Sequence, residues 1–188
     1  INMNDNMSYW KEVWERKGNS YAISLEEFDG YEDTCANVKE IADYITKELC
    51  ITENDTILEV ACGAGGLAQY LKYKKYVGVD YSNSLVKKHI EILKNSVLCG
   101  EANDLIFKDK SFDYIICFGA FHYFPSHEYS NQAISEFKRI AKKGIFIGDL
   151  PLTSHRDTHL LYKKEDFHDW KITDGCYNPV SYTHLRAH

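Results

Sequence analysis

Short apolar runs alternate with amphipathic stretches along most of this chain, and the alternation sets the expected fold. Residues 8–17 (SYWKEVWERK) open on Ser8, a helix-capping residue type, and place Trp10, Val13 and Trp14 at i, i+3 and i+4. That spacing predicts an amphipathic helix with an aromatic stripe. Within 31–49, Val38, Ile41, Ala42, Ile45 and Leu49 share one helical face, which predicts a second helix. Residues 56–61 (TILEVA) are apolar and partly β-branched, the pattern of a strand buried on both faces. A glycine loop follows, and helical spacing resumes over 67–73.

The alternation then repeats. Strands are expected at 76–80 (YVGVD), 96–99, 112–118 (FDYIICF) and 144–148 (GIFIG). Helices are expected at 84–95, with Leu85, His89, Ile92 and Leu93 inward, and at 128–142, with Ala133, Ile134, Phe137 and Ile140 inward. A polar stretch at 151–159 reads as a surface loop, followed by a short helix at 164–170 and a sixth strand at 171–174. Five strands separated mostly by helices predict an α/β fold with a doubly wound, mostly parallel sheet.

The chain has 188 residues, 44% of them hydrophobic, enough for one domain with a real core. Acidic residues outnumber basic ones 28 to 22, which argues against a nucleic-acid scaffold. No apolar run reaches the length of a membrane span and no signal-peptide pattern opens the chain, so a cytoplasmic protein without a membrane partner is expected. The six cysteines form no C-x-x-C pair; buried reduced thiols account for them, and no metal-ligand spacing emerges. The chain begins Ile-Asn-Met, which places the biological start later, at Met3 or Met7. Residues 181–188 (SYTHLRAH) show neither strand nor helix periodicity and read as a non-native tail.

In an open parallel sheet the ligand lies at the carboxyl ends of the strands, so the polar residues there carry the chemistry. After the first strand stands Glu59-Val60-Ala61-Cys62-Gly63-Ala64-Gly65-Gly66. After the second comes Asp80, 17 residues beyond Gly63, where a carboxylate can hold ribose hydroxyls. Gly100-Glu101-Ala102 follows the third strand, and Phe118-Gly119-Ala120-Phe121-His122-Tyr123 the fourth. The glycine loop alone also fits a dinucleotide-binding fingerprint, so a nicotinamide-dependent oxidoreductase is an alternative.

Together, EVACGAGG, VGVDYS and the segment from Gly100 to Phe124 resemble the class I, Rossmann-like S-adenosylmethionine-dependent methyltransferases of small-molecule type, over residues 56–151. Glu59, a carboxylate inside an apolar strand, favours this family over the dehydrogenases. The resemblance implies that Glu59 and the backbone of Ala61, Cys62, Gly63 and Gly65 hold the amino-acid end of S-adenosylmethionine. It places Asp80 on the ribose, Tyr81 against the adenine, and Phe118 in the cofactor's floor. Glu101 would accept from the adenine amine and the Ala102 N–H would donate to a ring nitrogen; the family usually has Asp where this chain has Glu101.

The implied activity is methyl transfer to an oxygen or nitrogen of a small-molecule acceptor, with a non-catalytic S-adenosylmethionine-binding module as a further alternative. His122 is the expected base, since imidazole titrates near neutrality, and Asp149 the second candidate. Tyr9, Trp10 and Trp14 would meet the substrate from an N-terminal cap over residues 1–50, above a core spanning 51–180. With 181–188 set aside, the sheet would lack its last antiparallel strand and the fifth strand would keep an open edge.

Overall fold

The computed structural model describes residues 3–22, 24–31, 37–152, 159–175 and 182–187. Its centre is β1 (Thr56–Val60), flanked in parallel by β2 (Lys75–Asp80) and β4 (Phe112–Phe118). β3 (Ser96–Cys99) extends the sheet beyond β2, and β5 (Ala141–Pro151) beyond β4, both in parallel. Two further strands, β6 (Lys171–Asp174) and β7 (Tyr182–Ala187), complete seven in the order β3-β2-β1-β4-β5-β7-β6, with β7 antiparallel to both neighbours. Strand order reverses between β1 and β4, which opens a crevice at their carboxyl ends.

The β7 pairing corrects the expectation of an open edge on the fifth strand. Residues 182–187 fill the slot between β5 and β6. A slot with an unpaired strand on each side offers two ladders of main-chain hydrogen bonds, and these form without any apolar alternation in the entering segment.

Helices cover both faces. α3 (Val38–Leu49) buries Ile41, Ala42 and Ile45 against Ile57, Ile116 and Phe146. On the opposite face, α5 (His127–Ile140) buries Ala133, Phe137 and Ile140 against Ile115, Cys117 and Ile147. Side-chain caps fix the starts of the longer helices after α1: Asn37 accepts from the Glu40 N–H, Ser82 from Leu85 ahead of α4 (Asn83–Leu93), and Ser126 from Tyr129. The N-terminal α1 (Met3–Gly18) docks on α4. There the Glu15 carboxylate accepts from the Asn83 N–H at 2.6 Å and the Ser84 N–H at 3.2 Å, a negative charge at the positive end of a helix. Among the described residues no helix is long and apolar enough to cross a membrane.

Several local expectations change. α2 (Leu25–Phe28) is one short turn that the periodicity did not announce. The helix expected over 67–73 shrinks to a 3-10 turn at Ala68–Tyr70. A seven-residue helix advances only about 10 Å, whereas the return to the start of β2 spans a strand length of roughly 17 Å; an extended 71–74 covers the difference. The short helix at 164–170 is likewise a 3-10 turn, Lys164–Phe167. Ile92 is 51% exposed rather than inward, because β3 is the sheet edge and no further strand extends the sheet there among the described residues. Cys62 and Cys117 are buried thiols as expected, but Cys50 and Cys99 are exposed; Cys35 and Cys176 lie outside the described residues.

Candidate functional site

A cleft opens at the carboxyl ends of β1, β2 and β4. Glu59, Ala61, Cys62, Gly63, Asp80, Tyr81, Glu101, Ala102 and Phe118 all line it. The N-terminal segment contributes Met7, Trp14, Asp29 and Tyr31. Of the residues expected to meet the cofactor, only Gly65 stands behind the wall, packed against His89 and Leu93. No Lys, Arg or His lines the cleft among the described residues.

Its electrostatics come from buried carboxyls. Glu59 is 3% exposed and accepts a 2.5 Å hydrogen bond from the Tyr76 hydroxyl. Burial pushes its pKa up to about 8, against the pull of that bond and reinforced by Asp29 and Asp80. Asp80 accepts from the Gly63 N–H and the Ser82 N–H, each at 2.9 Å. Burial raises it to about 6 although both bonds favour its ionised form. One carboxylate therefore ties the glycine loop to β2 while facing the cleft.

Asp29 is the main residue that the sequence reading missed. It follows α2, and its two oxygens accept from the Ala64 N–H and the Gly66 N–H, each at 2.6 Å. Burial pushes its pKa up to about 7 despite these bonds. The glycines make room for it: a Cβ on Gly63 would sit 2.2 Å from Asp29 Oδ1, and one on Gly66 2.8 Å from Oδ2. Gly63 also has φ +54°, a left-handed backbone that disfavours side chains. His89 completes the frame. Its Nδ1 lies 3.1 Å from the Gly63 carbonyl and its Nε2 3.1 Å from the Asn95 amide nitrogen. Those partners assign a neutral ring protonated at Nδ1.

At the far end, the Ala102 N–H donates to the Tyr129 hydroxyl at 3.1 Å, and that hydroxyl donates to Glu101 Oε2 at 2.8 Å. Phe118 lies over Gly148, where a Cβ would come within 2.2 Å of its ring. This close approach sets the floor of the cleft.

The expected substrate residues separate. Trp14 lines the cleft, whereas Trp10 packs its ring 4.5 Å from Tyr123 and Tyr9 is 48% exposed, both off the wall. Asp149 sits at a register irregularity of β5 against β7, with φ +59°. A bulge of this kind re-aims a side chain: Asp149 Oδ2 and the Tyr31 hydroxyl lie 3.9 and 3.7 Å from the Cβ position of Gly119. Asp149 thus adjoins the cleft through Gly119 and Tyr31, which line it.

His122 is not on the cleft wall. The strand ends at Phe118 and a 3-10 turn, Phe121–Tyr123, redirects it. It is 5% exposed, with its ring 3.9 Å from Tyr123 and 4.9 Å from His159. Burial, with His159 beside it, lowers its pKa to about 3. A ring with that pKa stays neutral near pH 7 and is a weak base, so the geometry favours a packing role behind Tyr123. His122→Ala is expected to cost about 1–3 kcal/mol of stability, leaving the pH profile of turnover between 5 and 8 unmoved. A lost limb in that profile would restore it as the base. Because the unfolded ring titrates near 6.5, its neutral burial contributes stability at neutral pH that is lost as pH falls toward 3.

Comparison with known proteins places this geometry. Residues 58–147 match the family model described as a methyltransferase domain. Over these residues the chain is similar to that family. The chain is 31% identical over 117 residues to an uncharacterized protein of Methanocaldococcus jannaschii, covering 62% of this chain and 47% of that one. It is 35% identical over 95 residues to the mouse probable tRNA methyltransferase 9B, covering 47% of this chain and 20% of that one. The chain thus spans between a fifth and about half of the length of these curated relatives.

Among solved structures, the chain superposes on Haemonchus contortus phosphoethanolamine N-methyltransferase 1, crystallised with phosphoethanolamine and S-adenosylhomocysteine. That match has TM-score 0.74 and 13% identity, over 99% of this chain and 49% of that chain. Magnesium protoporphyrin IX methyltransferase of Synechocystis PCC 6803, with bound S-adenosylmethionine, superposes at TM-score 0.64 and 16% identity, over 96% and 95% of the two chains. At these identities the likeness is one of fold.

Proposed function

We propose that this chain transfers a methyl group from S-adenosylmethionine to an oxygen or nitrogen of a small molecule. The observation that carries the reading is the set of carboxyls from successive strand ends, Glu59, Asp80 and Glu101, gathered on one cleft that no cationic side chain lines among the described residues. That wall suits a ligand bearing an ammonium and a sulfonium. Asp80 would hold the ribose, Glu59 the amino-acid end, and Glu101 the adenine. When bound, the cofactor supplies an activated methyl on a good leaving group. The chain's own work is then alignment and exclusion of water: Phe118 forms the floor, Trp14 and Tyr123 close the cap side, and Asp149 is the candidate to take a proton from the acceptor.

The nicotinamide alternative meets an obstacle. A dinucleotide's pyrophosphate needs free N–H groups at the glycine loop. Here the Gly63, Ala64 and Gly66 N–H groups already bond to the Asp80 and Asp29 carboxylates.

Incubation with methyl-labelled S-adenosylmethionine and a fractionated cell extract tests the reading. Label in the low-molecular-mass fraction is expected. Label confined to RNA would overturn the small-molecule assignment, and cofactor binding without labelling of any fraction would favour a binding module.

The raised carboxyls add a pH dependence. A cationic ligand binds the ionised forms better, so affinity is expected to rise as pH climbs through about 6 to 8, where Asp80, Asp29 and Glu59 lose their protons. Without ligand the sign reverses. These groups keep protons in the folded state that the unfolded chain releases near 4, so stability falls as pH rises from about 4 and levels off above about 8. Thermal unfolding from pH 5.5 to 8.5, with and without sinefungin, a cationic cofactor analogue, checks both slopes; parallel curves would contradict them.

A further inference from the structure

We propose that Tyr129 is a gate for the adenine end of the cleft, its hydroxyl holding the hydrogen-bonding position that adenine takes on binding. The inference rests on the cofactor reading above. The Ala102 N–H has one hydrogen, and it is directed at the Tyr129 oxygen at 3.1 Å. A single N–H does not serve a second acceptor at full strength, so a ring nitrogen reaches Ala102 only by displacing the phenol.

The polarity of the occupant supports the exchange. Tyr129 accepts from Ala102 and donates to Glu101 Oε2 at 2.8 Å. Adenine offers the same pair in the same order, a ring nitrogen that accepts and an amino group that donates. Burial and the adjoining Glu101 raise the Tyr129 pKa, which keeps the phenol protonated and its donor role fixed.

Tyr129 faces the cleft from the first turn of α5. Its backbone N–H is held by the Ser126 Oγ at 3.1 Å in the first turn of α5. Its ring lies against Phe124, centroids 4.8 Å apart, and both side chains line the cleft. A purine with the opposite edge, carbonyl outward and ring N–H, cannot form the Ala102 and Glu101 bonds and leaves the gate shut, so the displacement weighs on adenine alone.

The test is calorimetric titration of S-adenosylhomocysteine and of its hypoxanthine counterpart, S-inosylhomocysteine, into the unsubstituted chain and into Tyr129→Phe. Removing the hydroxyl frees Ala102 and Glu101, so the variant is expected to bind the adenosyl ligand about fivefold tighter, the worth of one ordinary hydrogen bond. The inosyl ligand is expected to gain nothing, so the ratio of the two affinities rises. Equal or weaker adenosyl binding in the variant overturns the gate, as does an equal gain for both ligands, which would reflect only the space vacated. Absence of adenosyl binding by the unsubstituted chain is a separate result: it overturns the cofactor reading and the gate with it. Thermal unfolding of Tyr129→Phe confirms that the compared chains are folded.

Discussion

Asp80→Ala is expected to weaken S-adenosylhomocysteine binding by about 10- to 100-fold, the loss of a charge-assisted hydrogen bond worth about 1.5–3 kcal/mol. Asp80 has two duties. It faces the cleft, and it accepts from the Gly63 and Ser82 N–H groups. Removing the carboxylate strips a ribose partner and frees the glycine loop from β2, so the effect falls at the upper end of that range. Asp80→Asn separates the duties. The amide oxygen can still accept from one N–H, and a ribose hydroxyl loses only the charge, so an intermediate affinity is expected. Unchanged binding in both variants would remove Asp80 from the cofactor site.

Gly63→Ala is expected to abolish cofactor binding and to lower stability by about 2–4 kcal/mol, from a left-handed backbone and a steric collision together. The collision is specific. The new Cβ would lie 2.2 Å from Asp29 Oδ1 and 2.7 Å from its Cγ. Truncating Asp29 should therefore relieve much of the damage, and Gly63→Ala with Asp29→Ala is expected to be more stable than Gly63→Ala alone. Asp29→Ala by itself is expected to destabilise, because the Ala64 and Gly66 N–H groups lose their acceptor. Denaturant unfolding of the four chains gives the coupling between the two positions. Additive effects would contradict the packing of Asp29 on the loop.

The strands were legible because a doubly covered parallel sheet demands continuous apolar runs. Residues 112–118 fall at the observed bounds of β4, which pairs in parallel with β1 and β5. Glu59 and Asp80 were legible for the complementary reason: a carboxylate next to such a run has no solvent to face and needs a partner or a ligand. Asp29 was not. It meets Ala64 across 35 residues of sequence and Gly66 across 37, and no local periodicity encodes a tertiary contact. The nearest signal was the Asp29-Gly30 pair closing the short run at Leu25–Phe28, a turn signature rather than a site signature.

Tyr129 was hidden for a related reason. It reads as one aromatic position on an amphipathic helix, and only the fold carries its hydroxyl to Glu101. His122 errs the other way. Its place near a strand end suggested a base facing the cofactor, but Gly119, at φ +71°, and the turn after it redirect the chain. Side-chain parity does not survive such a turn. β7 shows the same limit at the level of the sheet: where two strands leave a slot, main-chain pairing needs no hydrophobic pattern from the segment that fills it.

The central claim is that a cofactor with a cationic amino-acid end occupies the cleft above β1, β2 and β4. Calorimetric titration of the chain with S-adenosylhomocysteine, beside a parallel titration with a reduced nicotinamide dinucleotide, tests it most directly. The expected result is one saturable site for the first, lost in Gly63→Ala, and no heat from the second. Binding of the dinucleotide without S-adenosylhomocysteine would contradict the account.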